Sequence, residues 1–435
     1  MSFRKVLIAG GGSEQEQFVL TTSASTAILG VTYDDVNKTI FVNGWHNVTN
    51  YRGYTASINL DGSLNWDKYF TYSSGALWYN CCVDSNGDIL NVGTQHDGLY
   101  ALAAILDKDD GSIVADALIT FPSVYNTYGG LLSCTLDNSG DFTINGVYGP
   151  GSVRCGWATL NSNLASWQVA PSTYYHSAYG AYAMNNGQLK FSDGTMLVGC
   201  QPGFRYRLAR RNSQTGAISW NTDIGAGGAL GPGLSWAGGC IDTDDSDDVY
   251  ITGYYNPSYS GGVRYAQVMK LNSSGTIQWV RKISQGTEVW TGRTVAATDN
   301  YVVSFVQCPS GEIRLLYWNK SGTFQASKTV RIGTGFTNGF IFEAVKITKN
   351  IFALGGYGSN GQTDSKAFII VADLEDMPTT GTYDFLTFNT ENDSPTESVG
   401  TYDTTAPDIA GYTFTISAIT GSVTDMAPTY TKTSL

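Results

Sequence analysis

The stretch Asp84-Ser85-Asn86-Gly87-Asp88-Ile89-Leu90-Asn91-Val92-Gly93 sets the pattern of this 435-residue chain. A polar turn is followed by a short apolar run that ends in a small-residue anchor, Val92-Gly93. Turns of the Asn-Gly or Asp-Gly kind beside β-rich runs are the strongest hairpin signal in a sequence. Similar anchors recur about every 50 residues. They are Val42-Asn43-Gly44, Ile144-Asn145-Gly146, Val198-Gly199, Ile251-Thr252-Gly253, Val303-Ser304-Phe305 and Leu354-Gly355-Gly356.

A repeat of that length, rich in strand and turn residues, is typical of a β-propeller blade. Each unit divides into four short strands, and no segment shows the apolar period of a helix. The sequence therefore predicts an all-β, seven-bladed β-propeller of four-stranded antiparallel blades. We expect an N-terminal arm over 1–25, the propeller over 26–390 and a C-terminal extension over 391–435 that docks on a partner or on the propeller. The last unit, 336–390, is complete in itself by this division, so the way in which the ring closes stays open, although 17–22 has the character of an extra strand.

A second anchor places a glycine four residues before a tryptophan, as in Gly62 and Trp66, Gly216 and Trp220, and Gly275 and Trp279. These segments resemble the T-G-x-x-x-W strand of quinoprotein-like propeller repeats. The stretch at 84–93 is similar to the beta-propeller repeat of many bacterial and phage proteins, and so is 244–253. Both resemblances imply blade structure. They carry no functional residues with them, because a propeller ring hosts many unrelated activities.

The composition argues against several classes of partner. Only 14% of the residues are charged, against about 25% in an average protein. The net charge is −12, and an acidic chain without a basic run is a poor ligand for nucleic acid. No apolar run approaches the length of a membrane span. The seven cysteines are scattered, which is not the pattern of a disulfide scaffold. We therefore expect no nucleic-acid partner and no membrane span.

One face of the predicted ring is rich in aromatic residues. If the first strand of each blade is innermost, the loops between strands two and three and between blades share this face. It could be a recognition surface for sugars or protein, since aromatic rings with polar tips bind at low entropic cost. It could equally be loop packing. The candidate binding residues are Trp45, His46, Tyr51, His96, Tyr125, Tyr174, Tyr175, His176, Tyr254, Tyr255 and Tyr259.

No metal or cofactor site is predicted. The three histidines lack the i, i+2 or i, i+4 spacing of paired ligands. An acidic turn containing Asp242, Asp244 and Asp247 is a stronger calcium candidate than the turn 84–88, but a calcium loop needs a glutamate near its twelfth position. That position, counted from Asp242, is Gly253. Asp and Asn are also common in hairpin turns for conformational reasons alone, so a plain turn is the other interpretation.

Catalytic motifs are absent from the sequence: there is no G-x-S-x-G elbow, no H-E-x-x-H and no phosphate-binding glycine loop. We therefore predict a protein that is not an enzyme and has no catalytic residues. Two enzymatic alternatives stay open. A carbohydrate-active enzyme needs a carboxylate pair, whose separation only three dimensions can give. In the quinone-dependent dehydrogenases that the repeats resemble, adjacent cysteines stack on the cofactor, and Cys81-Cys82 is such a pair.

The opening segment, Met1 to Gly12, running straight into these repeats, resembles virion proteins of tailed phages. This resemblance implies a structural component of a tail, fibre or capsid surface. Such a protein would dock onto other virion proteins through its two terminal segments, as part of a larger assembly, and could contact host glycans. The apolar run at 6–9 is shorter than the core of a secretory signal. We therefore expect a virion protein that is made in the host cytoplasm and is not secreted.

Overall fold

The computed structural model describes most of the ring and the strands of both terminal segments. The described residues are 3–7, 17–22, 25–47, 51–72, 75–95, 100–120, 129–148, 154–176, 188–200, 206–225, 229–231, 240–256, 265–284, 289–308, 311–332, 336–360, 365–377, 380–383, 386–390, 396–399, 403–405, 410–411, 415–417 and 422–425. All regular elements in this part of the chain are β-strands apart from a single 3₁₀ residue, and the predicted all-β class is confirmed.

The chain starts with a hairpin and then builds three blades of four strands each. The hairpin is β1 (Phe3–Leu7) and β2 (Phe18–Thr22). Blade 1 comprises β3 (Thr26–Asp34), β4 (Thr39–Asn47), β5 (Tyr51–Asn59) and β6 (Leu64–Thr71). Blade 2 comprises β7 (Ala76–Val83), β8 (Ile89–Gln95), β9 (Ala101–Leu106) and β10 (Ile113–Thr120). Blade 3 comprises β11 (Gly129–Leu136), β12 (Phe142–Tyr148), β13 (Arg154–Leu160) and β14 (Trp167–His176).

Blades 4 to 6 repeat the plan, with the first strand of blade 5 in two pieces. Blade 4 comprises β15 (Gln188–Lys190), β16 (Met196–Cys200), β17 (Tyr206–Arg211) and β18 (Ile218–Gly225). Blade 5 comprises β19 (Ala229–Gly231), β20 (Ile241–Thr243), β21 (Val249–Asn256), β22 (Tyr265–Leu271) and β23 (Ile277–Ser284). Blade 6 comprises β24 (Thr291–Ala297), β25 (Tyr301–Gln307), β26 (Glu312–Asn319) and β27 (Phe324–Ile332).

Blade 7 takes its fourth strand from the other end of the chain. Its own strands are β28 (Asn338–Lys346), β29 (Ile351–Ser359) and β30 (Ser365–Asp373). Strand β2 pairs antiparallel with β30, and β1 lies outside it. The expectation that unit 336–390 holds four strands of its own was therefore wrong. The N-terminal hairpin closes the ring because the apolar β2 residues Phe18, Val19 and Leu20 are buried there.

The C-terminal segment adds a strand to the outer edge of each of the other six blades. Strands β31 (Thr380–Tyr383) and β32 (Leu386–Thr390) form a hairpin on blade 6. The chain then runs backwards round the ring. It continues as β33 (Thr396–Val399) on blade 5, β34 (Asp403–Thr405) on blade 4, β35 (Ala410–Gly411) on blade 3, β36 (Thr415–Ser417) on blade 2 and β37 (Ser422–Asp425) on blade 1.

The first strands of the blades surround the centre. They contact one another in a closed circuit from β3 through β7, β11, β15, β20, β24 and β28 back to β3. The apolar cores lie between the faces of neighbouring blades, so each core is shared by two blades. The sevenfold arrangement predicted from the anchor spacing is confirmed.

The glycine–tryptophan anchor joins neighbouring blades. Trp279 Nε1 donates a hydrogen bond to the Lys320 carbonyl in the next blade, at 3.1 Å. The tryptophan ring lies against Gly322, which has a φ of +82° and would place a Cβ only 2.7 Å from the ring. Trp66 and Trp220 contact the next blade in the same way. Gly275 of blade 5, for example, packs against Trp220 of the preceding blade 4. Trp279, which belongs to the same motif as Gly275, contacts the following blade 6.

Candidate functional site

Several first strands carry an extra residue at the same level of the ring. In β28 the ladder with β29 skips Phe342, in β7 the ladder with β8 skips Tyr79, and in β24 the ladder with β25 skips Arg293. Such β-bulges commonly re-aim a side chain near a functional site. Because the first strands surround the centre, these bulges place large side chains on the inner wall of the ring.

The bulges also explain the small-residue anchors. The anchor glycine pairs with the residue just before the bulge, where the two backbones come very close. A Cβ on Gly93 would lie 1.9 Å from the Leu77 carbonyl oxygen, and one on Gly356 would lie 2.0 Å from that of Phe340. Glycine is therefore required by a close approach of two backbones. The repeating sequence signal thus marks the inner wall of the ring.

A cluster of aromatic side chains lies where blades 7 and 1 meet, at the loop end of the inner wall. Trp45 and Tyr51, on either side of one loop, have ring centroids 5.3 Å apart in an edge-on arrangement. Tyr357 lies 6.1 Å from Trp45 and 5.1 Å from Phe340. Phe342 stacks on Tyr357 at 5.4 Å. We call these five residues the aromatic mouth.

Blade 6 contributes a cation to the aromatic mouth. The guanidinium carbon of Arg293 lies 5.2 Å from the Phe340 ring centroid, which is within cation–π range. Its Nε and Nη2 both donate to Gln307 Oε1, the first at 2.9 Å. Burial raises the pKa of Tyr357 to about 12, while the Arg293 charge acts in the opposite direction. The Tyr357 hydroxyl therefore keeps its proton at neutral pH and is available as a donor.

A half-buried carboxyl lies next to this cluster in sequence. Glu343 Oε2 accepts a hydrogen bond from Asn80 Nδ2 at 2.7 Å, and the carboxyl also accepts one from the Val31 amide. Asn80 Oδ1 in turn accepts a hydrogen bond from the Cys134 amide at 3.1 Å. Burial raises the pKa of Glu343 to about 8. The network connects blades 7, 1, 2 and 3, and its carboxyl is mainly protonated at neutral pH.

The structure brings together two of the predicted binding residues and buries two others. Trp45 and Tyr51 are half-buried members of the aromatic mouth. His46 is 4% exposed and its Nδ1 is hydrogen-bonded to Thr26 Oγ1 at 3.0 Å, so it is an interior residue. Burial lowers the pKa of His46 to about 4, which leaves it neutral. Tyr254 is also buried. The prediction that His46 and Tyr254 belong to an accessible binding face was therefore wrong.

The remaining candidates are not among the residues that form the aromatic mouth. Tyr255 belongs to blade 5, where its ring contacts Tyr265 and the Lys282 ammonium lies 3.6 Å from its centroid. Tyr174, Tyr175 and His176 end strand β14. His96, Tyr125 and Tyr259 lie outside the described residues.

Phe340, Phe342, Tyr357 and Arg293 were not among the predicted binding residues. They lie within or beside first strands, whereas the predicted residues belong to loops and the strand ends next to them. Phe342 had a signal in the sequence, because it lies as far before the anchor Gly356 as the large side chain of Tyr79 lies before Gly93.

The acidic turn does not form a set of metal ligands. Asp242 accepts hydrogen bonds from the amides of Ala297 and Thr243. Asp244 accepts from two amides of its own turn and from the Tyr250 hydroxyl. Asp247 accepts from Ser192 in blade 4. Each carboxylate thus serves a different structural contact. Among the described residues no three His, Cys, Asp or Glu side chains are grouped to hold a metal ion.

Cys81 and Cys82 are free thiols in the blade interior. Both are buried, and they belong to different apolar clusters on the two faces of β7. Successive strand residues point to opposite faces, so the two sulfurs do not form a joint stacking surface. This arrangement gives no support to the quinone-dependent interpretation of the pair.

Comparison with known proteins supports the fold. No family model and no curated protein matches the chain. Among solved structures, a PL25 ulvan lyase is 11% identical with a TM-score of 0.51, over 80% of this chain and 94% of that one. The Swd1 β-propeller domain of Myceliophteria thermophila is 11% identical with a TM-score of 0.46, over 81% of this chain and 98% of that one. At this identity the likeness concerns the fold alone.

No helix in the described part of the chain is long and apolar enough to cross a membrane.

Proposed function

We propose that this protein is a non-enzymatic structural component of a tailed-phage virion, in a tail, a fibre or the capsid surface. In this proposal the aromatic mouth is a recognition site for host-surface glycans. Other virion proteins contact the rim, where both terminal segments lie. The protein is made in the host cytoplasm and is incorporated into the particle.

The aromatic mouth is the observation that carries the recognition role. Trp45, Tyr51, Phe340 and Tyr357 are all half-buried, so each keeps part of its ring accessible. Flat aromatic surfaces with polar tips are well suited to sugar rings, because they offer contact area at low entropic cost. Gln307 and the Tyr357 hydroxyl supply hydrogen-bonding groups beside the rings.

The rim of the ring supports the structural role. Unpaired sheet edges are a template for uncontrolled association, and durable β proteins cover them. Here the two terminal segments add strands to all seven blades. Together with the low charge and the resemblance of the opening segment to virion proteins, this suits a long-lived building block.

Purified phage particles test the virion assignment. Mass spectrometry of gradient-purified virions should find this chain at a stoichiometry of several copies per particle, and antibody labelling in electron micrographs should place it on the particle surface. Absence of the chain from virions of a phage that expresses it would overturn the proposal.

Glycan binding tests the recognition site separately. We expect the purified protein to bind saccharides extracted from the host surface. Trp45→Ala and Tyr51→Ala should each weaken that binding by about tenfold, as expected for a lost stacking contact of about 1.4 kcal/mol. Tyr33→Ala, an aromatic change in the same blade outside the aromatic mouth, is the control and should bind normally. Equal affinity in all three variants would remove the aromatic mouth as the site.

A carbohydrate-active enzyme is the second candidate, favoured by Glu343. A carboxyl that is protonated at neutral pH has the state required of a general acid. Incubation with bacterial and algal polysaccharides would then release shorter products, and Glu343→Gln would abolish the release. We expect the wild-type protein to release no products. If it does release them and the Glu343→Gln variant does not, the enzymatic proposal replaces the structural one.

A further inference from the structure

The six rim strands of the C-terminal segment follow a strict order. Strands β32 to β37 pair with the outer strands of blades 6, 5, 4, 3, 2 and 1 in turn, always antiparallel. The chain therefore passes from blade to blade along the rim in the direction opposite to that of the ring. We call residues 380–425 the strap.

We propose that the strap is a closing device that is added after the ring has formed and that slows the unfolding of the ring. This inference goes beyond the proposed function and does not depend on it. It concerns a conformational role for a segment whose composition alone gives no hint of one.

The separation of its partners along the chain makes the far end of the strap one of the last elements to pair. Val423 of β37 is opposite Phe70 of β6, and Ile416 of β36 is opposite Ile119 of β10. The outer strands exist as sheet edges only after their blades have folded. Contacts between segments so far apart in the chain form late, because the entropy of loop closure must be overcome first.

The geometry of the strap opposes separation of the blades at the rim. Each of its strands pairs with one blade and the next strand pairs with the neighbouring blade. Strand β30 belongs to blade 7 and the next strand, β31, lies on blade 6, so the chain also links these two blades. Two blades on this path can separate at the rim only if at least one main-chain ladder breaks. The individual ladders are short, between two and five residue pairs. The strap can therefore slow unfolding only because one continuous chain connects all of these ladders.

The strap is acidic, whereas the outer strands of several blades carry cations. The outer strands of blades 6 and 5 carry Lys328, Arg331, Arg281 and Lys282. On blade 1, Asp425 is directly opposite Lys68 in the ladder. Opposite charges across a ladder stabilise the pairing, and salt weakens such attractions. The strap contains seven carboxylates and no lysine or arginine: Asp384, Glu391, Asp393, Glu397, Asp403, Asp408 and Asp425.

A cleavable full-length protein tests the strap. A protease recognition sequence placed between Met377 and Thr380 allows the strap to be cut from the folded ring. We expect the cut strap to stay bound in gel filtration at low salt and to leave at high salt. Once it has left, the ring should unfold at least tenfold faster in denaturant. The same recognition sequence in the exposed turn at 61–63 controls for a chain break as such.

Proline variants of the uncut chain make the test independent of cleavage. Successive amides of a strand point to opposite sides, so either Val423→Pro or Thr424→Pro must remove a ladder donor from β37. At least one of them should unfold several-fold faster than wild type, while Thr429→Pro, beyond β37, should not. Unchanged unfolding rates in both β37 variants and after loss of the cut strap would overturn the proposal.

Discussion

Glu343 holds a proton at neutral pH because the ring wall withdraws its carboxyl from water. In the unfolded chain this carboxyl ionises at its ordinary pKa of 4.5, and in the folded ring at about 8. Unfolding between these two values releases a proton. The contribution of Glu343 to the free energy of unfolding therefore falls as the pH rises through this window. Glu343 therefore contributes most to the stability of the folded ring at mildly acidic pH.

Replacing Glu343 by glutamine should flatten this pH dependence. The amide oxygen of glutamine can still accept the Asn80 hydrogen bond, but the side chain cannot ionise. We expect Glu343→Gln to be more stable than wild type above about pH 8 and to differ less from it near pH 4.5. Denaturant titrations of both proteins across this range give the comparison. Parallel stability curves for the two proteins would show that Glu343 is not held in its neutral form.

Two glycines, Gly93 and Gly130, show what a sequence pattern can predict about a residue and what it cannot. The anchor at Gly93 was visible as a periodic small residue, and its cause is the Leu77 carbonyl oxygen, which would lie 1.9 Å from any Cβ added there. Gly130, in the first strand of blade 3, has only ordinary contacts at 3.5 Å. The period of the anchors singles out Gly93, but the sequence does not show the reason, which is the approach of a second backbone.

Between elements, the tryptophan of one outer strand holds the turn of the next blade. Trp279→Phe keeps most of the packing on Gly322 but loses the hydrogen bond to the Lys320 carbonyl, and we expect a loss of about 1 kcal/mol in unfolding free energy. Trp279→Ala also loses the packing and should cost about 3 kcal/mol. Thermal and denaturant unfolding measure both.

The neighbouring Gln278→Ala serves as the control for this pair, because Gln278 is exposed on the same strand. It should leave the stability unchanged. If Trp279→Ala were as stable as Gln278→Ala, the indole would not join the two blades.

At the scale of the whole molecule, closure depends on the N-terminal hairpin. Strand β2 supplies the fourth strand of blade 7 and buries Phe18 and Leu20 against blades 7 and 1. Deletion of residues 1–24 should therefore prevent the formation of a monomeric ring, since an apolar sheet edge is left open. Deletion of residues 1–10 removes only β1 and should leave a soluble ring.

Size-exclusion chromatography and thermal unfolding distinguish the two deletions. The shorter deletion is the matched control, because it removes a strand that pairs with β2 without contributing to the four-stranded blade. A stable monomer after the longer deletion would show that blade 7 closes without β2.

The class, the number of blades and the positions of the turns follow from the sequence alone. Those features repeat locally: a polar turn, an apolar run and a small-residue anchor recur in each unit, as at 84–93, and need no knowledge of distant residues. Trp45 and Tyr51 could also be identified together, because one loop joins their strands. Their role in recognition is a proposal that the sequence suggested and that glycan binding will test.

Only the tertiary structure decided which strands close the ring, where the C-terminal segment lies and which residues surround Trp45. Strand β2 pairs with residues about 350 positions away in the chain, and nothing local in either segment specifies the other. The strap strands are only two to five residues long, and nothing in their sequences specifies the blade with which each one pairs. Tyr357 contacts Trp45, Phe340 contacts Tyr357 and Arg293 contacts Phe340 because three blades converge at the centre, and that convergence is a property of the closed ring.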